Sequence, residues 1–155
     1  MRIPTQRGLA HPPQQFTETR IPAHITRQSL GRYRAGEGVF VLSNAELWAL
    51  ELCPEEQSLL RPYYAGTDVD RYHLAAEPCE FLLYLTRETA PRWEAFPQVA
   101  QHLGRFRPLL ERRREVQRGR IAWWHLHWPR DESLFLMPRI LMPQMGRAPR
   151  FVYCD

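Results

Sequence analysis

Lysine is absent from this chain: all 21 basic residues are arginine. That removes the phosphate loop built on Gly-Lys-Ser/Thr, Schiff-base chemistry, which needs an amine, and the usual restriction-nuclease centre, which sets a lysine beside metal-binding carboxylates. Asparagine occurs once, as Asn44. Cysteine occurs three times, at Cys53, Cys79 and Cys154. An odd, widely spaced set with no Cys-x-x-Cys indicates neither a zinc ribbon nor a disulfide framework, and reads as reduced thiols in a cytoplasm. No apolar run approaches about 18 residues and no charged-then-apolar signal stands at the N-terminus, so neither membrane insertion nor secretion is supported.

What is present is one domain's length, 155 residues, with an apolar fraction of 44%, enough to bury a core. The formal net charge is +4. Arginine is always charged and presents a planar fork of donors suited to phosphate and base edges, so the excess favours a polyanionic partner. A GC-rich coding sequence would produce the same bias, and composition alone leaves both origins open.

Residues 1–37 hold four prolines and little periodicity, and read as an arm or connector; residues 38–155 read as the globule. Gly38-Val39-Phe40-Val41-Leu42 is a β-rich run, and Ser43-Asn44-Ala45-Glu46 is a capping box opening a helix with Leu47, Trp48, Leu50 and Leu52. Pro54 suits the first turn of a short helix with Glu55 and Glu56 at its positive end, closed by Pro62 after Leu59 and Leu60. Arg71 to Leu74 and Glu80 to Leu85 have strand character. Pro97 starts a helical stripe of Val99, Leu103, Phe106 and Leu110, which Gly104 and Pro108 are expected to split in two, the second helix ending at Gly119. Arg120 to Trp124 returns to strand, followed by two short apolar runs, Leu134 to Leu136 and Arg139 to Met142. The expected fold class is α+β, a single unit of short helices and small mixed or antiparallel sheets.

Three groups of residues carry candidate chemistry. His125-Leu126-His127 would set two imidazoles on one strand face, and His73, Asp131 or Glu132 would have to complete a metal set; two histidines alone fill no known site type, so binding or packing is favoured and no metal is expected. Asp68 and Asp70 suit acid/base work by spacing, but in a glycine turn they more often form Asx turns or pair with Arg71. Arg105, Arg107, Arg112, Arg113, Arg114, Arg118 and Arg120 are interrupted only by Glu111 and Glu115. Pairs such as Glu111 with Arg114 or Glu115 with Arg118 would make this an ordinary solvated surface, yet a positive surplus remains. Arg113 prolongs the apolar stripe three residues beyond Leu110, and must snorkel, pair or face a ligand. A basic helix end leading into a tryptophan-rich stretch has the composition of a nucleic-acid surface.

The order of five blocks adds to this. Gly38 to Ser43, Leu59 to Tyr72, Leu103 to Arg113, Trp124 to Arg130 and Phe135 to Gln144 closely resemble the TaqI-like C-terminal specificity domain, over about residues 38 to 152. In that family the domain recognises the target of adenine-specific DNA methyltransferases, including fused restriction-modification enzymes. One departure is Met145, where the family commonly carries a basic residue, leaving Arg147 or Arg150 to supply that charge.

The resemblance implies a preceding catalytic domain that binds S-adenosylmethionine and holds a flipped adenine against an Asn-Pro-Pro-Tyr/Phe motif. His11-Pro12-Pro13-Gln14 only echoes that motif and lacks its asparagine. The expectation is therefore the DNA-reading part without the methyl-transferring part, as an excised part, remnant or subunit: no enzyme by itself, no cofactor of its own, and a bacterial, cytoplasmic setting. Its expected partners are double-stranded DNA and a methyltransferase or restriction-methylase catalytic domain, with no membrane. Arg112, Arg113, Arg114, Arg118, Arg120, Arg130 and Arg139 would hold phosphates, Gln144 and Arg147 would reach base edges, and His125 and His127 would line the DNA side. Trp124, Leu126 and Trp128 would alternate into the core. The alternative is a docking subunit of a phage-defence complex, held to its partner through exposed apolar residues and binding DNA only weakly.

Overall fold

The computed structural model of the chain describes residues 20, 21, 23, 25, 31–70, 72–74, 77–143 and 150–154. The architecture is α+β, with short helices around small antiparallel sheets. Val39, Phe40, Val41 and Leu42 are buried and lead into strand β1, Val41–Ser43. Ser43 caps helix α1, Asn44–Leu50, and the capping box is complete: the Ser43 hydroxyl accepts from the Glu46 N–H, and the Glu46 carboxylate accepts from the Ser43 N–H at 2.8 Å. Glu46 also accepts from the Gly38 N–H at 2.8 Å, and a Cβ added at Gly38 would lie 2.4 Å from the Val41 carbonyl oxygen. Burial opposes ionisation of Glu46, but the backbone N–H groups of Ser43 and Gly38, the Ser43 hydroxyl and Arg20 outweigh it and hold the carboxyl below its ordinary range.

Helix α2, Pro54–Gln57, starts at Pro54 as its sequence suggests. Pro62 does not close that helix. Leu60–Tyr63 forms strand β2, which lies at one edge of a three-stranded sheet of order β1-β5-β2, where β5 is Glu80–Leu83. An edge strand tolerates a proline because only one side of it needs ladder donors. Two small antiparallel pairs complete the sheets. Strands β3, Val69–Asp70, and β4, His73–Leu74, form one; β6, Arg139–Leu141, and β7, Val152–Cys154, form the other. Within the stretch expected as an arm, Ile21 and Tyr33 join the core, and Arg20 bridges to Gly38.

Helix α3, Pro97–Leu110, is the longest described element. Its stripe of Val99, Leu103, Phe106 and Leu110 is fully buried, and His102 and Leu109 extend it. It runs unbroken through Gly104 and Pro108, contrary to the expected split. Pro108, two residues before the helix ends, has no N–H to give to the Gly104 carbonyl, and the buried Leu103, Phe106, Leu109 and Leu110 hold the helix across it. Its N-terminus is held by Glu56, whose fully buried carboxylate accepts from the backbone N–H of Gln98 at 2.7 Å and Val99 at 3.0 Å, and from Cys53 at 3.1 Å. A negative group on the first orphan donors complements the helix dipole.

Glu56→Gln replaces one acceptor oxygen by a donor facing an N–H. It is expected to cost about 1–3 kcal/mol, read as a fall in thermal midpoint of about 2–4 °C per kcal/mol.

Candidate nucleic-acid interface

The break in the basic stretch comes at Glu111–Arg113 rather than at Gly104 or Pro108, and Arg113 explains it. Its backbone is extended, at φ −62° and ψ 134°, and its side chain turns inward, leaving it only 6% exposed. The guanidinium donates to the carbonyl oxygens of Trp123 at 2.7 Å and His125 at 2.9 Å through Nη2, and to Leu110 at 3.2 Å through Nε. Its Cζ lies 5.8 Å from the centre of the buried Phe40 ring. Arg113, expected on the DNA surface, is an internal strut. It satisfies carbonyls at the end of α3 and in the tryptophan stretch together.

The same contacts account for the missing strand at 120–124. Arg113 takes the Trp123 carbonyl within it and the His125 carbonyl just beyond, and the stretch forms bends and turns. The chain then joins the core through the Leu126 N–H, which donates to the Leu85 carbonyl at 2.8 Å. The expected alternation of Trp124, Leu126 and Trp128 into the core fails accordingly. Trp123 and Leu126 are buried, Trp124 is half-buried, and Trp128 is 73% exposed. Trp123 packs edge-on to Trp93, with ring centroids 4.7 Å apart, and lies beneath Arg107, whose Cζ is 5.2 Å from the ring centre. Trp93 also stacks on Trp124 at 5.3 Å.

The two histidines do not share a face. His125 is buried, and its Nδ1 accepts from the Ala122 N–H at 3.2 Å; burial, then the charges of Arg87 and Arg113, hold its pKa below the ordinary value. It packs rather than lining a DNA surface. His127 is half-buried, with Nε2 3.2 Å from the Glu115 carboxylate. Among the described residues, no group of three or more histidine, cysteine, aspartate or glutamate side chains is arranged to hold a metal ion. Asp68 accepts from the Ala65 N–H at 2.7 Å, three residues back across its turn, so it closes the turn by a different contact from the two-residues-on bond of an Asx turn.

Helix α4, Arg114–Gln117, ends where its sequence suggests, with Gly119 at φ 66°. Around it Arg112, Arg114, Arg118 and Arg120 are exposed, and their guanidinium groups make no hydrogen bond or ion pair with another described residue. The nearby acids are engaged elsewhere: Glu111 accepts from Arg107 at 2.7 Å, and Glu115 lies by His127. Arg130 is also exposed, and its carbonyl accepts from the Tyr84 hydroxyl at 2.7 Å. Arg139 is half-buried. It donates to the carbonyls of Phe135 and Met137 at the end of helix α5, Ser133–Leu136, so its charge caps that helix. Gln144 and Arg147 lie outside the described residues, as does Met145.

The structure thus leaves Arg112, Arg114, Arg118 and Arg120 exposed in and around α4, a basic corner of the chain, sets His127 beside Glu115 of that helix, and withdraws Arg113 and His125 into the interior. Trp128 and Glu115 were missed by sequence reasoning; the proline following Trp128, which has no N–H for a ladder, was the one signal that a strand would not continue past it. A comparison of the sequence with protein-family models finds no match.

Arg113→Lys keeps the charge but loses the fork that spans Trp123, His125 and Leu110, and is expected to destabilise the fold by about 3 kcal/mol. Arg112→Ala and Arg114→Ala are expected to stay within about 0.5 kcal/mol of the unaltered chain, all three variants being compared by denaturant titration. A pH effect follows from two histidines. Burial, then the Arg105 charge, holds His102 below its ordinary pKa despite the 2.9 Å bond between Nε2 and the Val39 carbonyl, and His125 is shifted in the same direction. The folded state then binds fewer protons than the unfolded one. Stability is complete above the unfolded value of about 6.5 and is lost as pH falls from there toward the lower folded values. Melting curves from pH 8 to 5 are expected to show this loss, and His102→Gln, which can keep a donor toward Val39, to reduce it.

Proposed function

We propose that the chain is a sequence-specific recognition module for double-stranded DNA, of the adenine-N6 methyltransferase or restriction-modification type, acting with a separate catalytic domain that binds S-adenosylmethionine. The observation that carries this reading is the corner of Arg112, Arg114, Arg118 and Arg120, four exposed guanidinium groups without acidic partners among the described residues. Such a cluster repels itself unless a polyanion or counterions cover it, and phosphate is the partner that fork geometry suits. The resemblance of the five ordered blocks to the TaqI-like specificity domain supports the same reading.

In this account labour is divided. The corner arginines, with Arg130, neutralise phosphates and fix the register, and a few other side chains contact bases, Gln144 and Arg147 among them. The chain itself transfers no methyl group. The reading also assigns it to a bacterial cytoplasm; no described helix is long and apolar enough to cross a membrane.

A second reading has its own observation. Leu136, Met137, Ile140, Met142, Phe151 and Tyr153 are all exposed around the β6–β7 pair, where Ile140 and Tyr153 lie opposite each other. A surface of this kind suits docking to a protein partner, which would make the chain a subunit of a defence complex with weak DNA binding of its own.

Binding to duplex DNA measured across salt concentrations separates the two. DNA recognition predicts affinity that falls steeply with salt, and each of Arg112→Ala, Arg114→Ala, Arg118→Ala and Arg120→Ala reducing the log–log slope by about one. Slopes unchanged in all four variants would remove the corner from the interface and favour docking.

A further inference from the structure

Trp128 combines features that a packing residue does not have. Its ring is 73% exposed, and its backbone sits at φ 57°, in the left-handed region that bulky residues avoid. Pro129 follows, and a residue before proline ordinarily takes an extended conformation. Strain of this sort persists only where the surroundings fix the chain. Here they do so on both sides. Before Trp128, the His125 carbonyl is held by Arg113, the Leu126 N–H by the Leu85 carbonyl, and His127 lies 3.2 Å from Glu115. After it, the Arg130 carbonyl accepts from the Tyr84 hydroxyl. The loop therefore holds a large flat ring out into solvent. The Trp128 ring lies 5.6 Å from the His127 ring, His127 lies against Glu115 of α4, the helix that carries the exposed Arg114 and Arg118, and Arg130 is exposed two residues later.

We propose that Trp128 is a wedge that inserts into the base stack of bound duplex DNA, while the neighbouring arginines hold the phosphates on either side. This rests on the DNA-recognition reading above and adds to it the residue that contacts base faces. An indole gives a sequence-tolerant stacking surface, and apolar side chains inserted at a base step partly unstack it. A strained, pre-set ring meets this need better than a mobile one, since its conformational cost is met during folding rather than on binding. The basic surroundings favour nucleic acid over an apolar protein groove as the occupant.

The test uses a linear plasmid fragment, so that no target site need be known. It reads affinity, its salt dependence and permanganate reactivity of unstacked thymines, for the whole chain and for Trp128→Ala, Trp128→Phe and Trp128→Gly. The unaltered chain is expected to create reactive thymines. Trp128→Ala is expected to lose them and to bind about 10–100-fold more weakly with an unchanged salt slope, since no cation is removed. Trp128→Phe is expected to keep most of both properties. Trp128→Gly is expected to bind as poorly as the alanine variant yet melt about 2–4 °C higher, because glycine relieves the positive φ; a lower melting point accompanied by lost binding would assign Trp128 a structural role and overturn the wedge. Affinity and thymine reactivity unchanged in Trp128→Ala would overturn the wedge while leaving DNA recognition standing. Failure of the unaltered chain to bind the fragment even at low salt would overturn both.

Discussion

Helix α3 is fastened at both ends by a buried charge of the complementary sign, and the rest of the described structure hangs on that arrangement. Glu56 accepts the first free N–H groups of the helix, while Arg113, just past its last turn, takes the Leu110 carbonyl together with two carbonyls of the tryptophan stretch. Each group meets the helix end whose dipole it stabilises. Between them the apolar stripe packs on the core, and His102 reaches the Val39 carbonyl beside strand β1. Helix, sheet and tryptophan loop are thereby joined through three buried polar side chains, each hydrogen-bonded to backbone, and hydrogen bonding is what lets polar groups be tolerated in a core.

A chain without lysine must assign arginine to every cationic task, and here the tasks separate by position. Arg113 spends its fork inside the protein, Arg139 caps a short helix, and Arg61 and Arg20 pair with Glu132 and Glu80. Arg112, Arg114, Arg118 and Arg120 are left on the surface. Residues adjacent in sequence thus differ completely in role: Arg113 is buried while both its neighbours face solvent. The strut also bears on the surface, because it fixes the loop from which Trp128 and Arg130 project.

Features that depend on a few consecutive residues were legible in the sequence. The Ser43–Glu46 capping box, the α2 start at Pro54, the stripe from Val99 to Leu110 and the stop at Gly119 are local signals with local causes. What was not legible depends on partners distant in the chain. Pro62 reads as a helix stop until β5 makes its segment an edge strand. The stretch Trp123 to Trp128 reads as an alternating strand until Arg113 takes its carbonyls, which turns Trp123 inward and Trp128 outward. Of the candidate interface, the arginine run was visible as charge, but which of its members point out was decided by tertiary contacts.

The central proposal is that the chain reads a DNA sequence rather than merely carrying positive charge. Selection of the purified chain against a randomised duplex library at two salt concentrations, with the bound fraction sequenced, tests it most directly. The account predicts enrichment of one short motif that survives the higher salt, since base contacts release no counterions. Binding that fades with salt and enriches no motif would contradict it, and would mean that the arginine corner supplies attraction without recognition.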